Sequence, residues 1–176
     1  MLPSHGIFFC LDALRDPRTS DWELTIKGII RPRMKTIIEA SYADLLQSGR
    51  VILDERYVPQ AELLTYLEGF SVGFCFYDFN LLAKNDFNYL SVPSGKLFNY
   101  YAAGIPVIGS DILGLASVHA FEAGVLLSDP TPQSIVEALE YIRSHYAELS
   151  RHCREAARHY DFATAAQPLR RFLMHA

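Results

Sequence analysis

Apolar and polar positions change period several times along this chain, and each change marks an element. From Ser4 to about Asp16 the apolar residues fall at helical spacing. Ile7, Leu11 and Leu14 share one face with Phe8 alongside; Ser4 can cap the helix and Asp16-Pro17 ends it. Trp22 to Ile26 alternates as a strand does, before Gly28. Lys35 to Gln47 predicts a second helix, and Val51-Ile52-Leu53 a short buried strand. Gln60 to Gly69 fits a helix with Leu63, Leu64 and Leu67 turned inward. Val72 to Tyr77 is apolar and aromatic, as a central parallel strand should be. Gly124-Val125-Leu126-Leu127 predicts another strand. Thr131 caps a helix running from Pro132 to about His145, with Ile135, Leu139 and Ile142 on one face and proline at its first position. Further helices are expected from Leu149 to Tyr160 and from Phe162 to Phe172.

Asn88 to Asp111 organises the rest, reading as loop, helix, sharp stop and buried strand. Pro93 holds Val92 out of helical geometry. Ser94 suits an N-cap, with a side-chain oxygen able to accept from a backbone N–H two or three residues on. Lys96 to Ala103 fits a helix whose inner face carries Leu97, Tyr100 and Tyr101. Gly104 suits the left-handed position after the last turn, Pro106 forbids continuation, and Val107-Ile108 opens a strand ending at Gly109-Ser110-Asp111.

The chemistry this arrangement favours is anion binding. A helix N-terminus offers unpaired N–H groups and a partial positive charge. Gly95 lets a ligand approach the backbone. Lys96 stands in the first turn, where the dipole disfavours a cation, and an anion such as diphosphate removes that conflict. A surface lysine on an ordinary capped helix is the competing reading. The Ser-Gly-Lys triplet is no P-loop: that motif needs glycine five residues before Gly95 and Ser or Thr after the lysine, where Leu90 and Leu97 stand.

Strands alternating with helices at this spacing imply parallel βαβ units in a doubly wound α/β sheet. Ligands in such sheets sit beyond the carboxyl ends of the strands. The loop after Tyr77 lies at that end, which brings Ser94 and Lys96 to it.

Composition narrows the field. The 176 residues suffice for one domain with a sizeable core, and 50% hydrophobic against 20% charged residues indicates a folded chain. A net charge of −4 gives no reason to expect nucleic acid. No apolar run approaches the roughly 20 residues of a membrane helix, and no secretory pattern opens the chain. Cys10, Cys75 and Cys153 read as reduced core thiols of a cytoplasmic protein.

Pro-Ser-Gly-Lys-Leu-Phe-Asn-Tyr-Tyr-Ala-Ala-Gly-Ile-Pro-Val-Ile resembles the nucleotide-sugar segment of GT-B glycosyltransferases, close to family four, with fainter resemblance over most of the chain. The resemblance implies a Rossmann-like donor-binding domain over residues 1–176 and hexosyl transfer from a nucleotide-sugar without a metal or other cofactor. It implies that Lys96 neutralises the diphosphate while Ser94 and the Gly95 amide donate to it. Asn99 stands where the family commonly has a ribose-binding glutamate, and Ser91 where it has an acidic residue. Both departures favour altered donor choice or lost activity. The family's C-terminal half opens with a strand ahead of its first helix; here the helix comes first. A partial enzyme is therefore expected, lacking that strand and the N-terminal acceptor domain, which a partner chain would supply. Peripheral membrane association belongs to the full enzyme. A sheet without its opening strand leaves an edge on which a homodimer can form. A non-catalytic binding module with the same fold is the alternative.

Other constellations read more plainly. Tyr57 offers a ring for a nucleobase, against the commoner case of a loop tyrosine packed on the fold. His145, His152 and His159 recur every seven residues, about 10 Å apart along a helix, too far to share one ion. Lys27, Arg31, Arg33 and Lys35 form a small basic cluster that could touch a phosphate, with a solvated turn the commoner case. Asp54, Glu55 and Asp78 show no spacing that defines an acid–base pair.

Overall fold

The computed structural model describes residues 6–77, 91 and 93–174. Helix α1 (Ile7–Ala13) is shorter than its apolar pattern. Gly6, left-handed at φ 75°, holds its cap position, and Ser4 lies outside the described residues. Strand β1 (Leu24–Lys27) begins two residues later than the alternation predicts, where the Leu24 N–H finds the Arg50 carbonyl at 2.9 Å.

The helix expected from Lys35 to Gln47 is two, α2 (Pro32–Ser41) and α3 (Ala43–Gln47), parted at Tyr42 with φ −132°. A tertiary contact overrides the local pattern there. The Tyr42 hydroxyl donates to Asp12 Oδ1 at 2.8 Å, and its ring stacks on Phe8. Strand β2 (Val51–Asp54) follows, then a 3-10 turn and the short α4 (Leu63–Leu67). Leu67 is buried but Leu64 is exposed, a correction to its expected inward place: α4 is too short to bury a full apolar stripe.

Strand β3 (Gly73–Cys75) leads to the carboxyl end where α5 (Gly95–Ala103) begins. Gly104, at φ 71°, ends α5, and its N–H and that of Ile105 return to the last-turn carbonyls. Then come β4 (Val107–Ser110), a 3-10 turn with the one-turn α6 (Ala116–Ala120), and β5 (Gly124–Leu127). Helix α7 (Pro132–His159) joins the two helices expected on either side of residue 145, with non-helical torsions at His145 marking a kink. The final apolar stretch forms α8 (Phe162–Ala165) and α9 (Gln167–Met174).

All described strand pairs are parallel, so the molecule is α/β. The strands form two ladders, β1-β2 and β3-β4-β5. One core gathers Cys10 and Ala13 of α1, Phe76, Ile108 of β4 and the first limb of α7. A second holds Leu97 and Tyr101 of α5 with Val107, Leu115, Val118, Cys153 and Ala156. A third joins Leu11 and Leu14 to Met34, Ile38, Leu45 and Val51. Each fully buried aliphatic side chain in them contributes about 1.5–3 kcal/mol. The three cysteines are free and buried. No described helix is long and apolar enough to cross a membrane.

Candidate functional site

The site is built where β3 ends and α5 starts. Gly73 bonds to the Pro106 carbonyl at 2.9 Å and Ser110 Oγ accepts the Tyr77 N–H at 2.9 Å, so β4 holds both ends of β3 and the segment that leaves it. Ser110 is wholly buried. A serine at the end of an apolar strand is its only sequence signal, and the reading by period passed over it.

Ser94 is extended, at φ −67° and ψ 128°, and its carbonyl accepts the Leu97 N–H at 2.9 Å. It occupies the N-cap position, yet its side chain caps nothing, contrary to expectation. The Ser94 hydroxyl bonds instead to the Cys75 thiol of β3. Helix α5 starts one residue before the expected Lys96, at Gly95. Among the described residues, a Cβ on Gly95 would meet nothing within 4 Å. Lys96 is exposed in the first turn. Its charge is felt by Cys75: burial pushes that thiol up to about 11, with Lys96 and Ser94 opposing the rise. Asn99, one turn on from Lys96, is half-buried, as is Ser91 before the helix.

The structure therefore brings Ser94, Gly95, Lys96 and Asn99 together on one helical end. Tyr57 lies in the segment that follows β2 and is 86% exposed. It is not the packed loop tyrosine of the commoner case.

A polar cluster closes the carboxyl ends of β1 and β2. Asp54 is buried and accepts from Arg56 Nε and Nη2, both at 2.9 Å, from the Arg56 N–H at 3.0 Å and from the Tyr66 hydroxyl at 3.0 Å. Lys27 Nζ stands 3.5 Å from the same carboxylate. The Arg56 bonds hold the Asp54 carboxyl well below the usual range, against the effect of burial. Lys35 pairs with Glu55 at 3.0 Å. Two members of the basic cluster are thus tied to carboxylates, while Arg31 and Arg33 are exposed. Asp54 is a structural acceptor here rather than half of an acid–base pair, and Asp78 lies outside the described residues.

The three histidines of α7 take three different neighbours. His145 Nδ1 is 2.9 Å from the Tyr141 carbonyl, and His152 Nδ1 is 3.1 Å from that of Glu122. The His159 ring tilts against Phe121. Among the described residues no group of three His, Cys, Asp or Glu converges to hold a metal ion.

Compared with known proteins, the chain matches no family model and no curated protein.

Proposed function

We propose that this chain binds a nucleotide-sugar by its diphosphate at the start of α5, as the donor half of a GT-B glycosyltransferase of the family-four type. One observation carries the reading: a nine-residue helix opens beside the carboxyl end of β3 with Lys96 exposed in its first turn. First-turn N–H groups and the positive end of the helix favour an anion. Lys96 stands against that dipole, and a bound diphosphate turns the unfavourable placement into a favourable one. The all-parallel ladders support the same reading, since ligands of Rossmann-like sheets sit beyond the carboxyl ends of their strands.

Each residue then has a role. Lys96 neutralises the diphosphate, and Ser94 and the Gly95 amide donate to it. Asn99 accepts from ribose hydroxyls through its amide oxygen, more weakly than a carboxylate would. Ser91 lies on the approach to this end, and Tyr57 offers its exposed ring to the base. When the bond between the sugar's anomeric carbon and the phosphate oxygen breaks, charge grows on the departing diphosphate. Lys96 and the helix-end amides stabilise that charge.

A non-catalytic binding module is the second reading. Ser94 favours it, because its hydroxyl is already engaged by Cys75, and so do the uncharged Ser91 and Asn99. Calorimetric titration with UDP-, GDP- and ADP-sugars separates the two, with Lys96→Ala as control. Heat from one donor, lost in the variant, supports donor binding. No heat with any nucleotide leaves the second reading.

A further inference from the structure

We draw no further inference here: the strongest candidate, the exposed apolar face of α9 with Phe172 and Leu173 beside Arg170 and Arg171, carries nothing, because nothing in the structure shows what covers it.

Discussion

The Tyr100 ring lies so close over Gly73 that a Cβ there would stand 2.4 Å from Tyr100 Cδ2. A glycine in a strand gives up side-chain packing, and here it makes room for an aromatic ring from α5. Gly73→Ala forces the ring aside and is expected to destabilise by about 1–3 kcal/mol, the usual cost of overpacking. Urea unfolding measures this. A second variant, Gly73→Ala with Tyr100→Leu, should recover part of the loss; no recovery would place the strain elsewhere.

Lys96 is exposed, so Lys96→Ala should change stability by no more than about 0.5 kcal/mol. Its effect on a bound nucleotide-sugar should be far larger. Hydrogen bonds to charged groups contribute about 1.5–3 kcal/mol, which corresponds to a loss of roughly 10- to 100-fold in affinity. Calorimetry and thermal unfolding on the same preparation read both quantities. Equal affinity in the two proteins would remove Lys96 from the site.

Acid should loosen the β1-β2 end first. Asp54 is held below its ordinary value of 3.8, chiefly by its bonds from Arg56. A carboxyl depressed in the folded state adds stability above its unfolded value, and that stability is lost as pH falls through the folded value. Glu55, paired with Lys35, shifts the same way, and Arg18 lowers Asp16 to about 2. The urea midpoint should therefore fall below about pH 4, and Asp54→Asn should flatten that slope while lowering the neutral-pH midpoint. An unaltered slope in the variant would rule Asp54 out as its source.

Helix α7 starts in a capping box. Thr131 Oγ1 accepts the Ser134 N–H at 3.1 Å, and Ser134 Oγ accepts the Thr131 N–H at 2.9 Å. Thr131→Ala removes half of it and should cost about 1 kcal/mol in urea unfolding, with Thr131→Ser restoring most of the loss.

What could be read from the chain was what local stereochemistry decides. Gly104, Pro106 and Thr131 mark helix ends by backbone geometry and a cap, and they stand where their chemistry puts them. Lys96 was legible as the cation of a helix start because one short stretch contains everything that positions it. Contacts between distant segments were not legible. Tyr42 breaks a helix because Asp12 and Phe8 engage it, and Ser94 leaves its cap role because Cys75 lies across from it. Helix α6, only five residues long, is too short for a period to show. The partners of Asp54 were hidden in the same way: Arg56 is two residues away, but Lys27 and Tyr66 arrive from separate elements.

The kink at His145 has a mechanical consequence. A straight helix of 28 residues would measure about 42 Å, about the full width of a compact fold of this length. Bent at one residue, it becomes a clasp: Ile135, Leu139 and Ile142 grip the first core, and Cys153 and Ala156 grip the second, beneath α5. The bend at residue 145 therefore lets one helix close over both faces of β4, through Ile108 in the first core and Val107 in the second.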